Sequence, residues 1–317
     1  MTEKKRIFLL GGTGFIGSVL TKQLSANRHE NDLMMLIHRS ACFRELEQIN
    51  TNTGSLGSFD LSMLDRFKPD TIVHMARMSG RGRWGRYLAA WRGARANRRI
   101  LEHLRRQDCK AHVIYISGTL VYGDCGAEPV DESRPLNPIA FAREYIRAER
   151  PWMDALDSNS QPVTILRPPW ILGRESWFEG FYLNSIRTQY TVPLFGEGRN
   201  LMSFIDVEDC AGLIAHAVQH AQPGRCYNLF APGACIAQLD FAEKLAGHTG
   251  ARIRRYSAAE IERIHGRTLW EALTFSNKSS TQHPEFIAGY KFKYPSVDEI
   301  ILNNINIRSG QAISSSP

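Results

Sequence analysis

A glycine-rich turn near the amino terminus constrains the fold of this chain more than any other feature. The apolar segment Ile7–Leu10 has the length of a buried β-strand, and Gly11-Gly12-Thr13-Gly14-Phe15-Ile16-Gly17 follows it at once. The next segment, Ser18–Leu24, is amphipathic and typical of a helix. Glycines at this spacing allow a tight turn, close approach of the backbone to a pyrophosphate, and close packing of helix on strand. The turn therefore predicts a dinucleotide site formed by Gly11, Thr13, Gly14, Phe15, Ile16 and Gly17.

Short apolar segments recur along the chain, and each is separated from the next by enough residues for a helix. They lie at Ile7–Leu10, Leu33–Ile37, Thr71–His74, His112–Ile116 and Val163–Leu166. Parallel strands need crossover connections, which are usually helical, so this alternation predicts an α/β fold with a Rossmann-type doubly wound parallel sheet. Two later segments, Phe204–Asp209 and Cys226–Phe230, are interpreted as strands that return to the main sheet.

Glycine and proline break this regular pattern after about residue 168. We therefore expect a dinucleotide-binding domain over residues 1–167, with its sheet completed by strands near 204–230. Residues 168–317 are expected to form a smaller, mainly substrate-binding part. A length of 317 residues is consistent with one large domain and a companion.

Composition excludes several classes of protein. Apolar residues make up 43% and charged residues 22% of the chain, and the mean hydropathy is −0.30, which argues against wholesale disorder and against a membrane-spanning segment. The amino terminus is typical of a first strand and not of a signal peptide, so we expect a cytoplasmic protein. Six cysteines lie far apart without metal-ligand spacing, which predicts free thiols and no metal site: Cys42, Cys109, Cys125, Cys210, Cys226 and Cys235.

The end of the second strand bears on the choice between the two nicotinamide dinucleotides. An acidic side chain there holds the ribose 2′-hydroxyl of NAD, whereas a basic one accommodates the 2′-phosphate of NADP. The sequence has His38-Arg39-Ser40 at this point and no carboxylate. His38 and Arg39 are therefore predicted cofactor residues, and NADP(H) is favoured over NAD(H).

Motifs spread over most of the chain carry a family resemblance. They are the glycine turn, Phe59-Asp60-Leu61, Ile72-Val73-His74-Met75-Ala76, Val121-Tyr122-Gly123, Leu166-Arg167-Pro168 and Phe204-Ile205-Asp206-Val207-Glu208-Asp209. Together they resemble the extended, atypical short-chain dehydrogenase/reductase superfamily of the NAD-dependent epimerase/dehydratase type. The resemblance implies that Asp60 and Leu61 lie near the adenine and that Ala76 lies beside the nicotinamide ribose.

The same resemblance implies a catalytic Ser or Thr, a Tyr, and a Lys four residues after the Tyr, and this sequence departs from that pattern. The serine position falls on Gly118, flanked by Ser117 and Thr119. When the next helix is taken to begin at Asn137-Pro138, the tyrosine position is Ile139 and the lysine position is Arg143. Ser117, Thr119 and Arg143 are therefore the candidate catalytic residues, and Arg143 is also a candidate to hold the nicotinamide ribose.

A second register does not restore the triad. Tyr145 is followed four residues later by Glu149, and helical geometry places Tyr145 on nearly the opposite face from Arg143. We therefore do not expect Tyr145 to inherit the role of the family tyrosine directly.

Arginines dominate the segment between residues 77 and 106. Arg77, Arg81, Arg83 and Arg86 are expected to border the active cleft, where guanidinium groups can grip phosphate or carboxylate. These residues indicate an anionic or carrier-protein-linked substrate. The later set, from Arg92 to Arg106, is interpreted as a solvated helix face. Binding of nucleic acid is disfavoured because no recognised nucleic-acid module accompanies the arginines.

Substrate contacts are predicted at Arg77, Arg81, Tyr122 and Trp177. The resemblance implies an Arg that holds the diphosphate of a nucleotide sugar, and Met202 stands at that position. A nucleotide-sugar substrate is therefore less favoured than a smaller metabolite.

The function favoured by these residues is reduction of a carbonyl group with NADP(H), without the usual Tyr/Lys pair. Two alternatives stay open. One is a non-redox epimerase, cyclase or lyase on the same fold, and the other is a catalytically silent dinucleotide-binding protein that senses redox state or supports an assembly. A homodimer formed through the helices around Leu88–Leu104 and Phe141–Arg150 is a family expectation.

Overall fold

The computed structural model of the protein describes residues 4–38, 49–80 and 82–306. In chain order, the strands are β1 (Lys5–Leu10), β2 (Asn31–Ile37), β3 (Asn50–Thr53), β4 (Thr71–His74), β5 (His112–Ile116), β6 (Pro129–Val130), β7 (Val163–Arg167), β8 (Trp170–Leu172), β9 (Thr191–Phe195), β10 (Leu201–Asp206), β11 (Arg225–Asn228), β12 (Cys235–Ala237), β13 (Arg252–Tyr256) and β14 (Lys278–Ser279).

The helices of the described residues are α1 (Phe15–Ala26), α2 (Ser62–Phe67), α3 (Gly82–Arg106), α4 (Arg143–Asp157), α5 (Asn184–Gln189), α6 (Val207–His220), α7 (Gln238–Thr249), α8 (Ala258–His265), α9 (Arg267–Thr274), α10 (Pro284–Ala288) and α11 (Val297–Asn306). A short 3-10 turn spans Thr119–Tyr122, and a π-helical turn spans Glu179–Leu183.

The main sheet has seven parallel strands in the order β11-β7-β5-β4-β1-β2-β3. This arrangement confirms the predicted doubly wound α/β fold and all five predicted strands. Alternate residues of β1 enter different hydrophobic clusters: Ile7 and Leu9 pack with α1 and α6, whereas Phe8 and Leu10 pack with α2 and α3. Burial on both faces explains why the strands are continuous apolar runs.

One strand assignment was wrong. The segment Phe204–Asp209 was expected in the main sheet, but β10 pairs with β8 and β12 in a separate three-stranded sheet. Phe204 stacks on Phe241 with ring centroids 4.7 Å apart, so this strand packs into a hydrophobic cluster drawn from residues 170–305. Of the two late segments, the one beginning at Cys226 joins the main sheet, as β11 beside β7.

Strand order reverses between β1 and β4: after β1 the chain adds β2 and β3 on one side of the sheet, and after β4 it adds β5 and β7 on the other side. Ligands of open α/β sheets bind at such a switch point, outside the carboxyl ends of the strands. The glycine turn follows β1 there, and the loop that begins at Met75 follows β4. The fold thus places the candidate cofactor residues at one edge.

Among the described residues, no helix is long and apolar enough to cross a membrane, and no group of three or more His, Cys, Asp or Glu side chains is arranged to hold a metal ion. The five cysteines in the described part of the chain are free thiols, and Cys42 lies outside it.

Candidate functional site

The glycine turn between β1 and α1 is shaped by contacts that leave no room for side chains. Gly11 has a φ of +87°, and a Cβ there would lie 2.7 Å from the backbone nitrogen of Ala76. A Cβ on Gly17 would lie 2.0 Å from the carbonyl oxygen of Gly11. The first N–H groups of α1 have no intrahelical carbonyl to bond and carry the positive end of the helix dipole. This cradle fits the pyrophosphate of a dinucleotide.

A cleft of about 350 Å³ opens beside the turn. Its lining brings together residues that the sequence had singled out from three separate segments: Gly11, Gly14, Phe15, Ile16, Gly17, Arg77, Ser117 and Thr119. Pro168 and Pro169, directly after β7, and Ile171 of β8 also line the cleft. The cleft therefore joins a phosphate-binding turn to two hydroxyl-bearing side chains.

Ser117 is the point at which this cleft meets a buried ionic network. Its hydroxyl donates a short hydrogen bond to Oε2 of Glu149, which is 1% exposed. Arg167 donates from Nη2 to the other oxygen of Glu149 at 3.2 Å and is itself buried. A buried carboxylate is stable when it is paired and its lone pairs are satisfied. Ser117 thus lines the cleft, and its hydroxyl proton is held by a buried carboxylate.

Tyr122 continues this network away from the cleft. Arg167 Nη1 donates to the Tyr122 hydroxyl at 3.0 Å, and that hydroxyl donates to Oδ1 of Asn228 at 2.8 Å. Burial raises the pKa of Tyr122 to about 12. Because the side chain is 1% exposed and its hydroxyl is engaged at both ends, the prediction that Tyr122 contacts substrate was wrong. Tyr122 instead supports Arg167.

Helix α4 begins later than the sequence suggested. Asn137 donates its backbone N–H to Val121 at 3.1 Å, and its carbonyl oxygen lies against Gly123, which has a φ of +80°. The chain then turns, and α4 begins at Arg143. Asn137 is therefore a loop-packing residue and not a helix cap, and Ile139 precedes the helix.

This later start separates Arg143 from the cofactor cleft. Arg143 lies in an outer groove between α3 and α4 with Arg95 and Arg147, whereas Tyr145 lies in an inner pocket. The predicted opposition of Arg143 and Tyr145 is confirmed. The prediction that Arg143 holds the nicotinamide ribose and takes part in catalysis is not supported by this position, because its side chain is on the exposed face of α4.

The inner pocket has a volume of about 280 Å³ and adjoins the cleft through Arg77. Arg77 donates from Nη2 to the carbonyl oxygen of Ser117 at 2.9 Å, and its guanidinium lies 4.4 Å from the ring centroid of Tyr145. Ala76 and Tyr115 also line the pocket. Arg77 is thus fixed at the junction of the two cavities.

His74 lies beneath this junction and is fully buried. Burial lowers the pKa of His74 to about 4, so its imidazole is neutral at pH 7. Nε2 is 2.8 Å from Oδ1 of Asn97, and the ring packs edge-on against Tyr115 and Trp152. These contacts make His74 a structural residue, as the sequence indicated.

Of the residues predicted for the adenine end of the site, the structure describes His38, Asp60 and Leu61. His38 is exposed directly after β2, and Asp60 accepts hydrogen bonds from the Ser62 backbone at 3.0 Å and the Ser62 hydroxyl at 2.6 Å. These hydrogen bonds lower the pKa of Asp60. Leu61 is buried in the main core. Arg39 lies outside the described residues.

Three other residues predicted at the cleft are Arg81, Arg83 and Trp177. Arg81 and the side chain of Arg83 lie outside the described part of the chain. Trp177 donates its indole N–H to the carbonyl of Ile171 at 2.9 Å, and its ring packs 4.4 Å from that of Trp170. Since Ile171 lines the cleft, Trp177 supports the cleft wall from behind.

The parallel sheet, the switch point and the glycine turn define a dinucleotide-binding protein of the Rossmann type. The chain belongs to the NAD dependent epimerase/dehydratase family, whose model matches residues 7–229. This confirms the resemblance stated from the motifs. The family binds a nicotinamide dinucleotide, and the cradle described above fits one.

Individual relatives are distant. The chain is 24% identical over 300 residues to the epimerase family protein SDR39U1 of Bos taurus, and the match covers 92% of this chain and 96% of that protein. The crystal structure of human SDR39U1 (isoform 2) with NADPH has a TM-score of 0.74 at 19% identity, covering 94% of this chain and 98% of that one. The dTDP-glucose 4,6-dehydratase of Bacillus anthracis in complex with NAD has a TM-score of 0.78 at 15% identity, and 97% of each chain is covered.

Glu149 is the site residue that sequence reasoning did not assign. From the sequence, Glu149 was noted only because it stands four residues after Tyr145, where the family pattern has a lysine. Its inward-facing position in α4, together with the arginine of the Leu166-Arg167-Pro168 motif, was the signal that a buried ion pair connects helix and sheet.

Proposed function

We propose that this protein is an NADP(H)-dependent oxidoreductase that reduces a carbonyl group of a small anionic or carrier-linked metabolite. The observation that carries the proposal is Ser117, which lines the cofactor cleft and whose hydroxyl donates to the buried Glu149 carboxylate. This pair replaces the Tyr/Lys pair that the family resemblance implies. Thr119 lines the same cleft and is a second hydroxyl for the substrate oxygen.

The proton path follows from the hydrogen bonds. Bound NADPH would supply the hydride for the carbonyl carbon. In reduction, Ser117 would pass its hydroxyl proton to the carbonyl oxygen while Oγ takes up one proton delivered through Glu149. In the oxidative direction both transfers reverse, and Glu149 receives the proton. Arg167 keeps the carboxylate in place.

The preference for NADP(H) rests on this chain's own residues. The segment after β2 reads His38-Arg39-Ser40, which offers cationic and hydroxyl groups to a 2′-phosphate and no carboxylate to a 2′-hydroxyl. The solved structures named above include one with NADPH and one with NAD. Of these two, the structure of human SDR39U1 with NADPH is consistent with the proposed preference.

The proposed class of substrate follows from Arg77. Its guanidinium lies at the junction of the cleft and the inner pocket and is oriented by the Ser117 carbonyl and the Tyr145 ring. A planar, permanently charged group in this position suits a carboxylate or phosphate on the substrate. The reacting carbonyl would then lie on the Ser117 side of the anionic group.

A panel of 2-oxo acids and phosphorylated aldehydes, each supplied with NADPH, tests the proposal through loss of the NADPH absorbance. We expect turnover of at least one compound, a large loss of kcat in Ser117→Ala, and a raised KM in Arg77→Gln. Arg187→Gln, an exposed change outside the residues that line the cleft, is the matched control for Arg77→Gln. NADPH binding without turnover of any carbonyl would contradict the proposal.

That contradictory result would favour a catalytically silent dinucleotide-binding protein. One observation supports this second candidate: both oxygens of Glu149 are engaged, by Ser117 and by Arg167, in the manner of a structural ion pair. In that case Ser117→Ala would alter the melting temperature and leave NADPH binding unchanged.

A further inference from the structure

Strand β13 lies at the surface along most of its length. Within the described part of the chain it pairs with β9 alone, in parallel, with Arg252 opposite Thr191. The strand reads Arg-Ile-Arg-Arg-Tyr, and its first four residues are exposed. No residue of β13 lines the cofactor cleft or the inner pocket. The strand is therefore a surface feature that the proposed oxidoreductase reaction does not use.

The hydrogen-bond register shows which backbone groups of β13 are free. Arg252 donates its N–H to the carbonyl oxygen of Tyr190 at 3.1 Å, at the start of the ladder with β9. In a parallel pair, the residues that bond to the neighbouring strand alternate with residues whose N–H and C=O groups point the other way. Arg252 and Arg254 therefore bond to β9. The N–H and C=O groups of Ile253 and Arg255 point to the outer edge, which is open to a further strand.

The side chains of β13 give this edge two different faces, because successive residues of a strand point to opposite sides. Arg252 and Arg254 share one face, and neither forms an ion pair within the described residues. On the other face Ile253 is 38% exposed, and Arg255 pairs with Glu197 at 2.8 Å. One face thus carries two cations without carboxylate partners, and the other carries an exposed apolar side chain.

Aromatic rings border the cationic face. Arg254 lies 4.5 Å from the ring centroid of Tyr256 and donates from Nη1 to Gln189 at 3.2 Å, which orients its guanidinium. Tyr190 is 58% exposed and has a φ of +54°, a left-handed conformation that is unusual for an aromatic residue. A Cβ on Gly250 would lie 2.7 Å from the Tyr190 hydroxyl, so the ring extends towards the start of β13. The exposed ring is held there at a conformational cost.

A second copy of the chain is a poor occupant of this edge. Two β13 strands paired with each other would bring the arginines of one copy against those of the other, and like charges placed opposite each other across strands are destabilising. Charged side chains on an edge strand discourage self-pairing for this reason. A strand that carries carboxylates is the complementary occupant, since it gains main-chain hydrogen bonds and ion pairs together.

We propose that β13 binds an extended acidic segment of a partner protein, which adds to the outer edge as a further strand. The carboxylates of the segment face Arg252 and Arg254, and its apolar side chains face Ile253. The main-chain groups of Ile253 and Arg255 supply hydrogen bonds, and the alternation of side chains supplies selectivity. This interaction does not depend on the reaction proposed for Ser117, because β13 contributes nothing to the lining of the cleft.

Fluorescence anisotropy of the full chain with a labelled peptide of about 12 alternating Glu and Val residues tests the proposal. As a strand, this peptide presents all its carboxylates on one face, whereas a peptide of the same composition with the repeat Glu-Glu-Val-Val does not. We expect saturable binding of the alternating peptide and at least about fivefold weaker binding of the second peptide. Equal affinity for both peptides would overturn the proposal in favour of general attraction to polyanions. No saturable binding at peptide concentrations up to about 1 mM would also overturn it.

The variant Ile253→Pro tests the main-chain contact. Proline removes an N–H that points away from β9, so the pairing with β9 is kept while the donor to the added strand is lost. Ile253→Val keeps the N–H and a β-branched side chain and is the matched control. Affinity for the alternating peptide should fall at least about tenfold in Ile253→Pro and stay within about twofold of wild type in Ile253→Val. Wild-type affinity in a folded Ile253→Pro variant would contradict strand addition.

Hydrogen exchange and charge variants give readouts that do not depend on proline. Amide exchange in the segment 252–256 should slow when the alternating peptide binds. Arg252→Gln/Arg254→Gln should weaken binding about three- to tenfold at low salt. The matched control Arg106→Gln/Lys291→Gln removes the same charge from exposed sites elsewhere and should bind as wild type does. Unchanged exchange in the segment, equal loss in the control, or a dimer that Ile253→Pro disrupts would overturn the proposal.

Discussion

Glu149 lies directly behind Ser117, accepting the serine hydroxyl proton on one oxygen and the guanidinium of Arg167 on the other at 3.2 Å. The glutamate stands four residues after Tyr145, at the spacing where the family resemblance implies a lysine. The charge at this position is thus reversed relative to that pattern, and Arg167 balances it from β7. In the proposed mechanism, a carboxylate stands behind a serine where the family pattern has a cation beside a tyrosine.

The proposed role of Glu149 predicts the behaviour of Glu149→Gln. The amide keeps the shape of the side chain but cannot exchange a proton with Ser117, so kcat should fall by about 10²- to 10⁴-fold. The limb of the pH-rate profile that reports proton transfer should vanish, whereas the Kd for NADPH should stay within about threefold of wild type.

Asp154→Asn, an exposed change five residues further along α4, is the matched control and should preserve both rate and profile. A Glu149→Gln variant that keeps the wild-type pH profile would show that Glu149 holds Ser117 without exchanging protons.

Arg143 and Tyr145 provide a second pair of variants. Because Arg143 lies in the outer groove, Arg143→Gln should leave NADPH affinity and turnover within about twofold of wild type. Tyr145→Phe keeps the ring beneath Arg77 and should lose less than about tenfold in kcat. Steady-state kinetics with the substrate found in the carbonyl panel measures both. If Tyr145→Phe lost about a thousandfold, the tyrosine hydroxyl and not Ser117 would be the proton donor.

The glycine turn predicts a clear difference between two Gly→Ala changes. In Gly17→Ala the new Cβ would lie 2.0 Å from the Gly11 carbonyl oxygen, so the turn must move, with a loss of roughly 1–3 kcal/mol in unfolding free energy and weaker NADPH binding. Gly247→Ala lies in α7 with open space around it and should stabilise the protein by about 0.5–1 kcal/mol. Urea unfolding and calorimetry measure the two effects. Equal behaviour of the two variants would argue against a rigid cradle.

Burial of His74 predicts how stability depends on pH. Its pKa is lowered from 6.5 to about 4, so the unfolded chain binds the proton more readily and stability falls as pH drops from about 6.5 towards 4. The loss attributable to His74 over that range is roughly 3 kcal/mol in unfolding free energy. His74→Gln should be less stable at pH 7 but should show a smaller slope of stability against pH.

His112 acts in the same direction. Burial, together with the charge of Lys5, lowers its pKa to about 4, so some pH dependence should persist in the His74→Gln variant. Denaturant unfolding at several pH values between 4 and 7.5 measures the slopes. An unchanged slope in His74→Gln would mean that this histidine titrates normally in the folded protein.

The sequence predicted the central architecture because it is encoded locally. The strands β1, β2, β4, β5 and β7 are apolar runs buried on both faces, and the glycine turn has a unique spacing. The edge strand β3, Asn50–Thr53, escaped prediction because all four of its residues are polar and exposed. Pairing with β2 and not hydrophobicity makes it a strand.

Features that depend on tertiary contacts were harder to predict. The start of α4 was misplaced because Asn137 packs against Gly123, a contact that a capping pattern cannot reveal. Because α4 begins at Arg143, Ile139 precedes the helix and Arg143 lies in the outer groove instead of the cofactor cleft. The prediction that Tyr122 contacts substrate failed because its hydrogen-bond partners, Arg167 and Asn228, are distant in sequence and meet it only in the folded sheet. The pairing of β10 with β8 and β12 likewise depends on contacts between residues that are distant in sequence.

Calorimetric titration of the purified protein with NADPH and with NADH, on wild type and Arg39→Ala, is the most direct test of the central claim that the glycine turn and the adjoining cleft hold NADP(H). The account predicts micromolar affinity for NADPH, weaker affinity for NADH, and loss of the difference in Arg39→Ala. The absence of binding by either dinucleotide would contradict it, because the turn would then be a scaffold feature and Ser117 and Glu149 would have no hydride donor beside them.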